Sequence, residues 1–368
     1  MIPKEVIACL RELNEAGHEA YLVGGAVRDL LLKRDVHDYD IATSASPQQI
    51  EAYFKKTFRI NERFQTVSVH LHTVQVEIST FKGTSLVEDL QARDFTINSL
   101  AMTASGDVID YTNGQKDLQA CILRAYQPDI VFQADPLRVL RAARFISDLG
   151  FSVDDQTVRA CIDALPLFST IARERIAHEW LGVLKGTHKG EAGSFLQYIH
   201  LEQVLPSLRL NETIYQYLHR LSSVVWDTDE RAWAEYSVLV GSEHVISSFP
   251  VSNQLKKQVK QRYGFFQERQ RSNWTPWMLY RAGVSVAFDV ERMRQGRDWP
   301  SLSRTQLKEA HDELAIHSKD ELAITGADLL EQTAAKPGPW IKEKLEELEK
   351  GVVEGVLENK RACLLKQV

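Results

Sequence analysis

Cysteine is scarce and scattered. Cys9, Cys121, Cys161 and Cys363 make up the full complement of four, and no two of them stand in a C-x-x-C pair. That spacing argues against a cysteine zinc site and a disulfide framework, and points to free thiols in a reducing compartment. No run of about 18 apolar residues occurs, so no membrane-spanning helix is expected. The first twenty residues, "MIPKEVIACLRELNEAGHEA", carry charge throughout. They read as an amphipathic helix and not as a signal peptide, so the expected location is the cytoplasm. Positive charge is not in excess either. The net charge of −6 excludes a uniformly basic nucleic-acid binder, although a local basic stripe remains open. No fixed-period repeat, low-complexity tract or HD-type phosphohydrolase motif is present, and the eleven histidines show no ligand spacing.

What is present is an ordinary globular composition, 44% hydrophobic and 26% charged over 368 residues. That length suits roughly two to four domains. The pattern divides near residue 118. Before it, "YLV", "YDIAT" and "DVIDYT" read as short strands and "AVRDLLLK" as a helix. "TVSVHLHTVQVEIST" alternates, with Val67, Val69 and Leu71 on one face and then Val74, Val76 and Ile78, which predicts a hairpin turning near His72–Thr73. From residue 119 strand signals fade and helical periodicity takes over. Breaks are expected near Gly186–Thr187, Pro250, Gly283 and the "KPGP" at Lys336–Pro339. The expected fold is α+β: a mixed-sheet head followed by helices to Val368.

Three constellations carry chemistry. In "YLVGGAVRDLLLKRDVHDYDIAT", Asp38 and Asp40 are one residue apart. On a strand their side chains share a side, about 6–7 Å apart at Cα. Two carboxylates that close repel unless a cation lies between them, and hard oxygen donors suit Mg²⁺ with its waters and phosphates. The Gly24–Gly25 turn opens a helix and lets backbone N–H groups approach a phosphate, and Arg28 can add a charge-assisted bond. Together these suggest a nucleotide held by its triphosphate beside a metal. A lone DxD is often only a surface turn, and Glu77, on the polar face of its strand, reads either as an exposed strand glutamate or as a third carboxylate.

The second constellation, "EDLQARDFTINSLAM", packs Arg93, Asp94 and Asn98 into an apolar series; for Asp94 a helix cap is the plain alternative. The third, "DPLRVLRAARF", places Asp135 before Pro136, a good helix cap, and then Arg138, Arg141 and Arg144 at steps of three. An arginine stripe makes a poor core but holds anions and planar polar groups well.

With "YTNGQKDL" and "RERIAHEW", these motifs resemble, in order, those of bacterial class II tRNA nucleotidyltransferases and poly(A) polymerases of the polymerase-β superfamily. The resemblance is strong over residues 20–185 and weaker at the C-terminus. It implies a nucleotidyltransferase head over 1–118, a base-recognising neck over 119–186, a body over 187–285 and a tRNA-binding tail over 286–368. It also implies that Gly24, Gly25 and Arg28 form the nucleotide turn and that Asp38 and Asp40 are metal ligands and catalytic. Arg93, Asp94 and Asn98 would contact ribose and triphosphate. Asp135 and Arg138 would read the incoming base in place of a template. Arg141 and Arg144 continue that nucleotide-binding stripe. Gly114, Asp117 and Leu118 would form a springy head–neck element, and Glu174 and Arg175 would support the neck. Base chemistry agrees. A carboxylate acceptor beside a guanidinium donor complements cytosine and adenine and mismatches uracil and guanine.

Three departures from the family pattern stand out. Ala134 precedes Asp135 where glutamate is usual, and Ala92 precedes Arg93 where arginine is usual. Between Phe81 and "EDL" only Lys82–Val87 remain, where complete CCA-adding members carry a longer loop associated with the switch from CTP to ATP. The expectation is therefore a CC-adding enzyme that uses CTP on the tRNA 3′ end, in cooperation with a separate A-adding enzyme. A full CCA-adding enzyme using CTP and ATP is the alternative. A poly(A) polymerase and a non-catalytic RNA-binding relative are more distant ones. For tRNA, "NQLKKQVKQRYGFFQERQRSNW" offers Lys256, Lys257, Lys260 and Arg262, with a solvated helix over core aromatics as the plain reading. The tail offers Lys336 and Lys342 near a helix that Gly338–Pro339 would start.

Overall fold

In the N-terminal part, apolar periodicity sets each element. The computed structural model describes residues 2–61, 65–72, 74–222, 224–333 and 335–368. Helix α1 (Lys4–Glu15) buries Val6, Cys9, Leu10 and Leu13, one helical face. The chain continues through β1 (Ala20–Val23), α2 (Gly25–Leu31), β2 (Tyr39–Thr43), α3 (Pro47–Tyr53), β3 (Thr57–Asn61), β4 (Thr66–Leu71), β5 (Val74–Thr80), α4 (Leu86–Gln91), β6 (Leu100–Met102) and β7 (Val108–Asp110). The strands form one sheet in the order β3-β4-β5-β2-β1-β6-β7. Within it β2 and β5 run parallel, and the other neighbours are antiparallel.

The expected hairpin is β4–β5, with Val67 opposite Ile78 and Val69 opposite Val76, all buried. Of its turn, His72 has φ +43°, and Thr73 lies outside the described residues. Strand β3 is not legible in the sequence. Its five residues, TFRIN, do alternate, but the run is short and its apolar face, Phe58 and Ile60, is exposed on an edge strand and not turned to the core.

Helices follow: α5 (Gly114–Ala120), α6 (Pro128–Ala134), α7 (Arg138–Leu149), α8 (Asp155–Ala164), α9 (Arg173–Lys185), α10 (Lys189–Tyr198) and α11 (Glu212–Arg220). Two short strands, β8 (Ile122–Leu123) and β9 (Ser152–Val153), pair in parallel inside this segment, a small departure from the helical expectation. The chain separates into two compact units, Met1–Ser222 and Ser223–Val368. That boundary falls inside the expected 187–285 segment.

The second unit holds α12 (Asp229–Val240), α13 (Asn253–Arg271), α14 (Pro276–Gln295), α15 (Arg304–Asp312), α16 (Gly326–Gln332), α17 (Trp340–Val353) and α18 (Arg361–Leu365). Gly283 interrupts α14 with φ 67° and ψ 160°, and "KPGP" precedes α17, as the breaker residues predict. Among the described residues no helix is long and apolar enough to cross a membrane. The fold is thus α+β, a mixed sheet followed by helices.

Candidate nucleotide site

A cavity of about 730 Å³ opens in the first unit, a size that suits a small-molecule ligand. Gly24, Gly25, Arg28, Asp38, Asp40, Arg93, Asp94, Asn98, Asp135, Arg138, Arg141 and Arg144 all line it. Residues more than a hundred positions apart therefore meet in one place.

Its acidic end is built by strand register. Asp40 lies opposite Val23, the residue before the glycine turn, and in parallel register with Glu77 on β5. Asp38 comes just before β2. Burial raises the pKa of Asp40, with Arg93 opposing and Asp38 adding to the rise. Burial, Asp40 and Asp38 likewise raise that of Glu77. Glu77 is thus a neighbour of Asp40 in the sheet, but it is exposed and is not among the residues that line the cavity.

Gly24 adopts φ 71° and ψ −136°, a region open essentially to glycine. A Cβ there would lie 2.9 Å from Arg93 Nη1 and 3.6 Å from Asp40 Oδ2. The missing side chain thus lets α2 begin against the acidic group.

The basic side is a continuous chain of paired charges. Arg28 donates from Nη1 to Asn98 Oδ1 at 2.7 Å and forks onto Asp29 at 2.9 Å. Asn98 Nδ2 donates to Asp94 Oδ1 at 3.0 Å. Asp94 Oδ2 accepts from Arg141 Nε and Nη2 at 2.8 and 2.6 Å. Arg141 Nη1 also donates to Glu179 Oε1 at 3.3 Å, and Arg144 Nε donates to Glu179 Oε2 at 2.7 Å. Burial would raise the pKa of Asp94, but Arg141, Asn98 and the Phe95 N–H hold it well below the usual carboxylate range.

Gly182 leaves room for this arrangement, since a Cβ there would meet Arg144 Cδ at 2.3 Å. Phe145 lies under the guanidinium groups of Arg28 and Arg144, at 5.1 and 4.5 Å from its centroid. Of the arginine stripe, Arg141 and Arg144 are thus spoken for by Asp94 and Glu179.

Asp135 and Arg138 sit at the cavity wall. Asp135 Oδ1 accepts from Leu137 N at 3.3 Å, a turn-capping contact, while Oδ2 accepts from Arg175 Nη2 at 2.6 Å. Helix α7 starts at Arg138, two residues later than a cap at Asp135 would place it. Arg138 donates to the carbonyl oxygens of Ala92 at 2.9 Å and Val131 at 3.3 Å. Arg175, expected to support the neck, is the residue that orients the Asp135 carboxylate, and Glu174 is exposed.

Gly114 packs where a Cβ would lie 2.1 Å from the Thr96 carbonyl oxygen, and Asp117 accepts from Thr96 Oγ1 at 2.7 Å. These residues and buried Leu118 fasten α5 to the second constellation.

Sequence reasoning missed two acids. Asp89, 2% exposed, accepts from Arg93 Nε and Nη2 at 3.1 and 2.9 Å and from the Lys82 backbone at 3.0 Å. Glu179, 3% exposed, balances Arg141 and Arg144. Its signal was present, since it shares a helical face with Ile176 and Val183, an odd place for an unpaired acid.

The link Lys82–Val87 is tightly fastened. Phe81 N donates to Thr43 O at 2.9 Å, Thr84 N to Glu88 Oε2 at 2.7 Å, and Ser85 Oγ caps α4 by accepting from Glu88 N at 3.3 Å.

In the second unit the basic stretch is α13. Lys257 and Lys260 are exposed on it, Lys260 near Glu243 at 3.3 Å, and Lys256 is half-buried. Arg262 does not belong to that stripe. It is buried, with Nε donating to Asp289 Oδ2 at 3.0 Å, so it serves the packing of α13 on α14. Lys336 and Lys342 are exposed at the start of α17.

Comparison with known proteins agrees with this geometry. A poly(A) polymerase head-domain model matches residues 20–86 and 82–124, and a tRNA nucleotidyltransferase domain 2 model matches residues 224–368. The CC-adding tRNA nucleotidyltransferase of Shouchella clausii is 42% identical over 98% of this chain and 96% of its own. The CCA-adding enzyme of Enterococcus faecalis is 38% identical over 98% of this chain and 94% of its own. The crystal structure of the Bacillus stearothermophilus CCA-adding enzyme with CTP superposes with a TM-score of 0.89 at 32% identity, covering 100% of this chain and 97% of that one. With the sheet register, the glycine turn and relatives that match end to end, the chain belongs to the class II tRNA nucleotidyltransferase and poly(A) polymerase family.

Proposed function

We propose that this protein transfers CMP from CTP to the 3′ end of tRNA and stops after CC. The fastened link Lys82–Val87 carries the reading. A long polar loop could act as a lever on the pocket; a six-residue link fixed by Asp89, Glu88 and Ser85 has no free length to do so. Two comparisons support it. The head-domain match is broken at residues 82–86, at this link. Alignment takes 390 columns with the E. faecalis CCA-adding enzyme and 362 with the S. clausii CC-adding one, at the same 98% coverage of this chain. The 28 extra columns are positions that this chain lacks.

The tRNA 3′-hydroxyl attacks the α-phosphate of CTP, and pyrophosphate leaves. Asp38 and Asp40, with Glu77 beside Asp40 in strand register, fit Mg²⁺, because closely placed hard oxygen donors suit a divalent ion, and burial with the neighbouring carboxylates raises the pKa values of Asp40 and Glu77. When bound, Mg²⁺ would supply charge neutralisation and activation of the hydroxyl. Arg28 and Arg93 hold the triphosphate beside the glycine turn. Asp135, oriented by Arg175, and Arg138 offer the acceptor–donor edge that cytosine matches and uracil does not. The chain's own tail, with Lys336 just before α17 and Lys342 in its first turn, would meet the tRNA backbone, and a separate A-adding enzyme would finish the end.

The test is product length at single-nucleotide resolution on a tRNA ending at its discriminator base, with CTP and ATP both present. A stop at CC supports the proposal. A CCA end supports the second reading, favoured by the CCA-adding relatives: a complete CCA-adding enzyme that switches without a long loop.

A further inference from the structure

The eleven histidines show no ligand spacing in the sequence, yet the fold brings two of them together. Helix α15 ends at Asp312 and the chain turns back, so the His311 and His317 ring centroids lie 5.1 Å apart. One ligand-capable atom from each of His311, Asp312 and His317 lies within 4.8 Å of the other two. His317 Nε2–H donates to the His311 carbonyl oxygen at 3.1 Å, which leaves the lone pair on Nδ1. Anchoring one ring nitrogen on a backbone carbonyl is how metal-ligating histidines are oriented. The His317 backbone N–H donates to Glu321 Oε2 at 3.0 Å, and that carboxylate lies 3.7 Å from Nδ1. The second histidine is thus held from two sides.

We propose that His311, Asp312 and His317 form a Zn²⁺ site in the second unit, separate from the nucleotide site of the first. Two imidazoles and a carboxylate are a borderline donor set that favours Zn²⁺ over the harder Mg²⁺. At Zn–ligand distances of about 2.0–2.1 Å the donor atoms would approach to about 3.3 Å. His311 is half-buried while Asp312 and His317 are exposed, so the latter two can close that gap by side-chain rotation. Water completes the coordination. The ion would clasp the end of α15 to the turn before Lys319–Glu321. Its role is to tie the chain there and it takes no part in nucleotide transfer.

The test uses the full-length chain without a histidine tag, carrying Asp40→Asn so that the carboxylates of the nucleotide site do not compete. After removal of metal it is titrated with Zn²⁺ by calorimetry. One Zn²⁺ per chain at a Kd of about 10 µM or tighter is expected, weakened at least about tenfold by His311→Ala and by His317→Ala. A second readout needs no histidine variant. Zn²⁺, but not Mg²⁺, protects His311 and His317 from diethylpyrocarbonate, as mapped by mass spectrometry. Binding weaker than about 1 mM, affinity unchanged in both variants, or absence of protection overturns the proposal.

Discussion

Replacing Glu179 by alanine removes the acid that holds Arg141 and Arg144 in place. Its side chain is 4% accessible, while those of Arg141 and Arg144 are 32% and 26% accessible. Removing one partner of a buried pair costs about 3–5 kcal/mol. Arg141 keeps its fork onto Asp94, and both arginines keep some water contact, so the expected loss is about 2–3 kcal/mol. For a unit of this size that lowers the melting temperature by about 5–10 °C. The same change removes one of the two anchors of Arg141, so its fork onto Asp94, and through Asn98 the placement of Arg28, is held less firmly. CTP affinity should therefore fall together with stability. Glu179→Gln keeps shape and an acceptor, and should give about half the loss. The assay is thermal unfolding with and without CTP, beside single-turnover CMP transfer. A Glu179→Ala protein that melts within about 1 °C of the parent and binds CTP equally well refutes the network argument.

Other consequences follow from the same geometry. Because Asp94 has a depressed pKa, its contribution to stability is present above the ordinary aspartate range and is lost as pH falls through its folded value; Asp94→Asn should flatten the acid limb of an unfolding curve measured against pH. Asp40 and Glu77 have raised pKa values, so protons would compete with the proposed Mg²⁺ at higher pH than at free carboxylates, and more Mg²⁺ should move the acid limb of CMP transfer to lower pH. Gly24→Ala forces a Cβ to 2.9 Å from Arg93 Nη1 at a φ of +71°; kcat for CMP transfer should drop by about 10²-fold while the fold survives in circular dichroism. Lys257→Ala with Lys260→Ala should reduce the salt dependence of tRNA binding by about one to two ions without changing melting, whereas Arg262→Ala should lower the melting temperature because it leaves buried Asp289 with Arg231 alone in place of two guanidinium partners.

The sequence displays the nucleotide site unusually well because its parts are short motifs whose polar residues have no packing reason to be there. Asp38, Asp40 and the glycine turn stand out in this way, and the alternation of "TVSVHLHTVQVEIST" places β4 and β5 correctly in register. Other features depend on partners distant in sequence. Asp89 reads as an ordinary helix acid until Arg93 and the Lys82 backbone close around it. Glu179 needs α7 and α9 side by side before its charge has a purpose. Arg262 looks like part of a basic stripe because sequence gives spacing but not the face it points to; Asp289, 27 residues on, decides that. Strand β3 alternates over only five residues and keeps its apolar residues outward, so its short period is easily passed over. The His311–His317 pair escapes notice because a helix end and a turn join them, and neither follows a helical or strand repeat.

A short, fastened link at Lys82–Val87 is proposed to withhold the ATP step. The most direct measurement is the single-turnover rate of AMP transfer from ATP to tRNA already ending in CC, beside CMP transfer from CTP to tRNA ending in a single C. AMP transfer is expected to be at least about 10²-fold slower, a barrier difference of about 2.7 kcal/mol or more. Comparable rates for the two transfers would contradict it.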